Sequence, residues 1–280
     1  MRRFAIVLLV AAACAGCGSG SEPRTVTVTT TEAAAPSATT TQAPTGSTVV
    51  PYFIEGDQVA AGEPVETPER GVAAAALRAL LDGPNGRELA AGLTTAVPPD
   101  TRLLDLTIAD GLARVDLSGT FREGEGATPA RERLAQVVYT LTQFPTVQRV
   151  RVRIDGHTVS ALGDVKLDGG LRRADFEDQT PTILVESPGF ATAVSSPFTA
   201  RGTANTFEAT FEYELRDAAG KVLAQHFETA TSGTGMRGTF SFPVSFTVTK
   251  PTAGSLVVFE RSAADGSRIH VRSTPLKLQP

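Results

Sequence analysis

The sequence is poor in aromatic and thiol side chains: its 280 residues include no tryptophan, three tyrosines and two cysteines. Both cysteines, Cys14 and Cys17, lie close to the N-terminus, so the rest of the chain has no thiol for an internal disulfide or a thiolate metal site. The shortage of tryptophan and tyrosine also argues against a platform on which sugar rings would stack.

Histidine and excess positive charge are lacking as well. The three histidines, His157, His226 and His270, are far apart, and none has a partner at the spacing of a metal site. With 26 Lys and Arg against 30 Asp and Glu, the formal net charge is −4, which provides no broad positive field for a phosphate backbone. We therefore expect no metal, no cofactor and no nucleic-acid partner.

Two patterns resemble catalytic or nucleotide sites. Residues 233–238 spell G-x-G-x-x-G, which a dinucleotide site requires between a strand and a helix. Strand-like sequence follows this stretch, so we expect a loop that connects two strands. Glu208, Glu212 and Glu214 resemble a carboxylate cluster, but their alternation puts them on the solvated face of one strand. We expect no catalytic residues and no enzyme activity.

The N-terminus has the features of an export signal. Arg2 and Arg3 precede an uncharged apolar run from Phe4 to Ala13, which is shorter than the roughly 20 residues that span a bilayer. Small residues and a cysteine follow, as Ala15-Gly16-Cys17. This order resembles the lipobox of bacterial lipoproteins. The resemblance implies a signal peptide over residues 1–16 and a lipid on Cys17.

The lipobox resemblance implies an extracytoplasmic protein, lipid-anchored to the outer face of the cell membrane. Two acyl chains bury enough methylene groups for stable attachment. Two alternatives stay open at this point. Cys14 stands where the family usually has leucine and is itself a second candidate for lipidation, and an ordinary signal peptide would leave a free secreted protein.

Residues 17–50 predict a disordered linker behind the lipid anchor. The stretch is dense in Thr, Ala, Pro and Ser, a composition that buries too little apolar surface to offset chain entropy. The remaining sequence divides into a mixed helix-and-strand pattern over residues 51–178 and a pattern of strands alone over residues 182–280. We expect two domains that fold separately.

The first domain, residues 51–178, predicts the element order β-α-β-β-α-β. Tyr52-Phe53-Ile54 favours a strand, and Thr67-Pro68-Glu69 favours the start of a helix. Thr128-Pro129 opens a second helix with an apolar stripe, and a strand covers residues 150–154. This order predicts an α+β domain, a small sheet with helices on one face.

A β-hairpin is predicted between the two helices. Asp110-Gly111 supplies the two residues of positive φ that a type I′ turn requires. Counting outward from the turn pairs Ile108 with Ala113 and Leu106 with Val115, and then Leu104 with Leu117.

A candidate interaction face lies on the last strand of this domain. Arg149, Arg151 and Arg153 alternate with apolar residues and therefore point to one side of the strand. One interpretation is a contact with an anionic protein or wall polymer. The other is a solubilising face whose charges are relieved by Asp105 or Asp116 on neighbouring strands.

Several motifs of the first domain resemble the GerMN domain of spore-germination and sporulation proteins. The resemblance extends over about residues 51–175 and implies an extracytoplasmic module similar to the ring-building domains of sporulation and secretion complexes. It implies no reaction and no catalytic residues. The motifs are Asp82-Gly83-Pro84, Ala91 to Pro98, Thr101 to Leu104, Gly111 to Ser118 and Leu134 to Thr142.

The second domain, residues 182–280, predicts an all-β immunoglobulin-like sandwich. Apolar and polar residues alternate from Phe207 to Leu215 and from Phe240 to Val248, and about seven strands fit the segment. The Cys…Trp…Cys core of immunoglobulins is absent. Residues 202–209 and 233–240 carry a resemblance to the immunoglobulin-like domain associated with bacterial spore germination proteins.

The sequence as a whole predicts a non-catalytic cell-envelope lipoprotein. Its expected role is that of a protein-protein assembly or interaction module related to sporulation or germination, with envelope proteins or wall polymers as partners. The alternative is a glycan- or solute-binding lipoprotein at the cell wall.

Overall fold

The computed structural model describes residues 46–124 and 126–280. The described residues belong to one compact unit. The predicted signal peptide of residues 1–16, the lipidation site Cys17, its alternative Cys14 and most of the predicted linker lie outside the described residues. Among the helices of residues 46–124 and 126–280, none has the length and apolar character needed to cross a bilayer.

The first domain combines short strands with α-helices. A 3-10 helix at Gly119–Arg122 precedes the α-helix at Ala127–Thr142, and another at Arg173–Gln179 ends the domain. In chain order the elements are β1 (Ser47–Val49), β2 (Tyr52–Glu55), β3 (Gln58–Ala61), β4 (Val65–Thr67), α1 (Val72–Leu81), α2 (Gly86–Ala90), β5 (Leu93–Thr94), β6 (Leu103–Ala109), β7 (Leu112–Leu117), α3 (Ala127–Thr142), β8 (Arg149–Ile154), β9 (His157–Thr158), β10 (Ala161–Leu162) and β11 (Val165–Lys166).

Two sheets organise the core of this domain. Strands β3, β2 and β5 form one sheet, and β6, β7, β8 and β9 form another in which β7 and β8 are parallel. Parallel neighbours need a crossover connection, and α3 provides it. One face of the four-stranded sheet buries Val115 and Val152 on the side of α3, while the other face carries polar side chains. The predicted α+β fold is confirmed.

The predicted hairpin forms, with one irregularity. Ile108 pairs with Ala113 and Leu106 pairs with Val115, as expected. Leu117, however, pairs with Leu103, because the ladder shifts between Leu103 and Asp105. Leu104 is the extra residue of this bulge and is 49% exposed. The predicted pairing of Leu104 with Leu117 is therefore wrong.

The predicted start of the first helix is also wrong. Thr67 does not cap a helix, because it belongs to β4 and pairs with Ser47 of β1. Its hydroxyl accepts a hydrogen bond from the backbone N–H of Glu69 at 3.1 Å, which forms a turn after the strand. Helix α1 begins at Val72. Strand β1, at Ser47–Val49, lies inside the segment expected to be a disordered linker, so that expectation is wrong for these residues.

Helix α3 buries polar side chains against the start of β2. The Thr140 hydroxyl accepts a hydrogen bond from Tyr52 N–H at 3.0 Å, and the Gln136 amide donates to Tyr52 C=O at 3.1 Å. The Gln136 carbonyl accepts from Ala96 N–H at 2.8 Å. At the C-terminal end of α3, the Gln143 side chain accepts a hydrogen bond from Val50 N–H and donates one to Val50 C=O. The helix thus satisfies backbone groups that a neighbouring strand would otherwise pair.

The second domain is a β-sandwich, and its predicted immunoglobulin-like, β-rich fold is confirmed. The strands are β12 (Ile183–Ser187), β13 (Thr192–Ser195), β14 (Phe198–Ala204), β15 (Thr210–Asp217), β16 (Val222–Thr229), β17 (Gly238–Val244), β18 (Thr252–Arg261) and β19 (Arg268–Gln279). One sheet has the order β12-β14-β17 and the other β13-β19-β18-β15-β16. Between them, Phe211 and Phe240 have ring centroids 4.8 Å apart, as do Tyr213 and Phe242.

The two domains share apolar core at their junction. Leu184 of β12 and Phe190, which follows β12, are both buried and belong to the hydrophobic core of the first domain rather than to that of the second. The two neighbours of Leu184 in β12, Ile183 and Val185, lie on the opposite face of the strand and belong to the second core. Strand β12 therefore packs on both domains at once.

A polar cluster reinforces the junction. The Arg173 guanidinium donates to the Glu186 carboxylate at 2.7 Å and lies 4.5 Å from the ring centroid of Tyr139. The Tyr52 hydroxyl donates to the same carboxylate at 2.9 Å. Burial and the neighbouring Glu186 raise the pKa of Tyr52 well above its ordinary value, so the phenol stays protonated and remains a donor.

A second ion pair lies at the expected domain boundary. The Glu177 carboxylate accepts hydrogen bonds from Arg237 at 2.9 Å and from Asn205 at 2.8 Å. Burial alone would raise the pKa of Glu177, but these hydrogen bonds outweigh burial and hold its pKa below the ordinary value. The end of the first domain is thus bonded to two loops of the second.

Candidate functional site

The predicted arginine residues lie together on the polar face of the four-stranded sheet. Along β8, Arg149, Arg151 and Arg153 are half-buried and alternate with fully buried apolar residues. Strand β7 adds Arg114, which lies directly beside Arg151 in the parallel register. We call these four residues the arginine face.

Arg114 was not among the residues predicted from the sequence. Counting outward from the Asp110-Gly111 turn already places Arg114 on the face of β7 opposite Ala113 and Val115. What the sequence does not indicate is that β7 and β8 are neighbours, because that pairing is parallel and depends on the crossover through α3.

Backbone carbonyls, rather than carboxylates, accept hydrogen bonds from the arginine face. Arg153 donates to Gly156 C=O, and Arg151 donates to Asp168 C=O at 3.1 Å. The Arg151 Nε is buried and has no hydrogen-bond partner among the described residues. No described carboxylate forms an ion pair with any of the four arginines.

Neither of the two aspartates expected to relieve this charge forms an ion pair with a described arginine. Asp116 lies beside Arg153 in the sheet, but its carboxylate accepts from Gly156 N–H at 3.0 Å. The Asp105 carboxylate accepts from the Thr107 hydroxyl at 3.2 Å. The arginine face therefore keeps guanidinium donors that suit an external carboxylate or phosphate.

The carboxylates predicted to share a solvated strand face have different environments. Glu208 lies before β15, in a 3-10 turn. Glu212 pairs with Arg261 at 2.9 Å. Glu214 is only 5% exposed and binds Arg216 and Arg268, so its predicted solvated position is wrong. Burial raises the pKa of Glu214, but the two arginines outweigh burial and lower it.

The structure also places the three histidines and the G-x-G-x-x-G stretch. Within residues 46–124 and 126–280, no group of three or more potential metal ligands comes together. Gly233 to Arg237 lie in the loop that connects β16 to β17, as predicted, and Gly238 is the first residue of β17. A Cβ on Gly233 would lie 2.5 Å from the backbone nitrogen of Ala209, so close packing of two loops accounts for this glycine.

Comparison with known proteins gives matches to two family models and to solved structures. Residues 41–160 match the model of Germane, described as sporulation and spore germination. Residues 182–267 match the model of Gmad2, the immunoglobulin-like domain of bacterial spore germination. No curated protein matches the chain significantly.

Three solved structures are similar to this chain. The first GerMN domain of the sporulation protein GerM from Bacillus subtilis is 28% identical over 46% of this chain and 99% of that chain, with a TM-score of 0.39. The tandem GerMN domains of the same protein are 18% identical over 71% of this chain and 61% of that chain, with a TM-score of 0.40. A putative lipoprotein from Clostridium perfringens is 21% identical over 46% of this chain and 89% of that chain, with a TM-score of 0.35.

The first match falls mainly on the α+β region and the second on the immunoglobulin-like sandwich, in the order that the sequence resemblance implied. The chain therefore combines a domain of the Germane sporulation and spore germination family with a domain of the Gmad2 family of bacterial spore germination.

Proposed function

We propose that the protein is a non-catalytic interaction module of the cell envelope, and that its arginine face binds an acidic surface of a partner protein. The observation that supports this proposal is the group of four arginines on one sheet face without a described carboxylate partner. Lipidation at Cys17 and an extracytoplasmic location on the outer face of the membrane are part of the same proposal.

Arginine is suited to this role because its planar guanidinium binds a carboxylate through two parallel hydrogen bonds. In the free protein, neighbouring like charges such as Arg114 and Arg151 repel each other. An acidic partner replaces this repulsion with attraction. Because the side chains are partly exposed, the attraction depends on ionic strength.

The first test measures binding of the full chain to poly-L-glutamate at low and moderate salt. The triple variant Arg149→Ser, Arg151→Ser, Arg153→Ser should bind at least about tenfold more weakly, which corresponds to about 1.4 kcal/mol. Wild-type binding should weaken as salt rises. The fold should survive, and a thermal melt checks this.

A matched control removes the same charge elsewhere. Arg70, Arg122 and Arg201 are exposed and form no ion pair with the described residues. Changing these three to serine should leave binding almost unchanged. If both triple variants lose affinity equally, or if wild-type binding does not respond to salt, the arginine face is not the binding surface. Affinity capture from membranes, compared between the wild-type and the triple-variant lipoproteins, would identify a partner whose binding depends on the arginine face.

A further inference from the structure

Two phenylalanines of the second domain are held out into solvent at one end of the sandwich. Phe207 is 59% exposed and Phe227 is 63% exposed. Both line a surface cleft of about 280 Å³ that Phe211 also lines and that Glu212, Glu260 and Arg261 border. We call these six residues the aromatic cleft.

The exposure of Phe207 depends on an unusual backbone. Its alternation with Phe211 predicts a strand that would bury it, yet Glu208 has φ 53° and Ala209 has φ 60°. Two consecutive residues other than glycine in the left-handed region are unfavourable and need support from their surroundings. This turn carries Phe207 out of the sandwich and to the edge of the cleft.

Specific hydrogen bonds hold the turn in this conformation. Phe207 N–H donates to the Glu260 carboxylate at 2.8 Å, and Glu208 N–H donates to the Thr234 hydroxyl at 3.1 Å. The second oxygen of Glu260 lies 2.9 Å from His270 Nδ1. Glu260 is itself buried. A network of hydrogen bonds thus holds Phe207 in its exposed position.

The cleft adjoins a free sheet edge. Strand β16, which carries Phe227, is the last strand of its five-stranded sheet, and its outer edge pairs with no strand of the described residues. The strand has eight residues, mostly exposed, with neither proline nor lysine to discourage pairing. Such an edge can accept an extended segment through main-chain hydrogen bonds while an adjacent pocket takes a side chain.

The charge around the cleft selects the kind of segment. Arg261 is paired with Glu212 at 2.9 Å, so these two charges offset each other. Glu260 and the adjoining Glu208 leave an excess of negative charge around the cleft. A basic side chain complements this charge, and an apolar side chain complements the exposed phenylalanine rings that line the cleft.

We propose that the aromatic cleft and the free edge of β16 bind an extended peptide segment of a partner protein, with an apolar and a basic side chain two residues apart so that both lie on the same side of the segment. This binding surface lies in the other domain from the arginine face and has the opposite charge. Its partner is therefore chemically distinct from the acidic surface proposed for the arginine face.

The test uses the full chain and three labelled eight-residue peptides, read by fluorescence anisotropy. A peptide that repeats leucine-serine-lysine-serine should bind, because its leucines and lysines lie on one side of the extended chain. Peptides that repeat leucine-serine-glutamate-serine or serine-serine-lysine-serine should bind at least tenfold more weakly. Phe207→Ser and Phe227→Ser should each weaken binding of the leucine–lysine peptide at least tenfold without any change in charge.

Met236 provides the matched control, since it is 68% exposed and does not line the cleft. Met236→Ser should bind like the wild type, and melting curves check that each variant folds. Equal affinity of the wild type and both phenylalanine variants, or no binding at millimolar peptide, overturns the proposal. If the phenylalanine variants instead lose only binding to phosphatidylcholine vesicles, the cleft is a membrane contact and the peptide proposal is wrong.

Discussion

Replacing Gln136 by leucine should destabilise the protein strongly, although leucine is close in size and apolar. Gln136 is 0% exposed. Its side-chain N–H donates a hydrogen bond to Tyr52 C=O, and its side-chain carbonyl accepts one from Ala96 N–H. Leucine leaves both backbone groups without these partners. Each unpaired buried group costs about 1–3 kcal/mol, and the partial exposure of Ala96 places the total at about 2–4 kcal/mol. In a unit of this size, that lowers Tm by about 5–15 °C.

The assay is urea and thermal unfolding of the full chain, with Gln148→Leu as the matched control. Gln148 is exposed, so the same chemical change should alter the free energy of unfolding by no more than about 0.5 kcal/mol. If Gln136→Leu melts within about 2 °C of the wild type, the hydrogen bonds from α3 do not contribute as argued. A lower m-value without a lower midpoint would likewise contradict the argument.

Three further predictions concern the anchor, the junction and the domains. Cys17→Ser should abolish lipid labelling and release the protein from the membrane fraction, whereas Cys14→Ser should not; the reverse result assigns the lipid to Cys14. Because the folded-state pKa of Glu177 is lowered, its contribution to stability is full above the unfolded pKa of about 4.3 and is lost as pH falls through the lower folded value. The free energy of unfolding should therefore fall less steeply below about pH 4 in Glu177→Gln than in the wild type, as chemical unfolding at several pH values would reveal. Residues 182–280 alone should melt cooperatively, while residues 46–181 alone should melt at a lower temperature than in the full chain because the first core extends into β12; equal melting temperatures would contradict the shared core.

The sequence indicates elements well where local and tertiary requirements agree. The hairpin register follows from Asp110-Gly111 because the turn and the apolar alternation favour the same pairing. The bulge at Leu104 has no such local signal. Thr67-Pro68-Glu69 has the composition of a helix start. Thr67 instead lies in β4 and pairs with β1, a strand inside the segment expected to be linker.

The arginine face and the aromatic cleft differ in how far the sequence indicates them. The alternation along β8 is sufficient to place Arg149, Arg151 and Arg153 on one face, since only one strand is involved. Phe207 cannot be assigned in this way, because its alternation with Phe211 is that of a buried strand. Its position depends on Glu260, a residue about fifty positions away, which tertiary structure alone brings to its backbone.

The packing of β12 on two cores limits how this chain can exchange modules. A recombination event at the boundary near residue 181 would join the first domain to a foreign partner without Leu184 and Phe190, both of which are buried in the first core. The recipient would carry a void and exposed apolar surface where those side chains belong. Successful transplants must therefore carry the segment through Phe190 with the first domain, so the unit that can be inherited or engineered as a block extends beyond the apparent domain boundary.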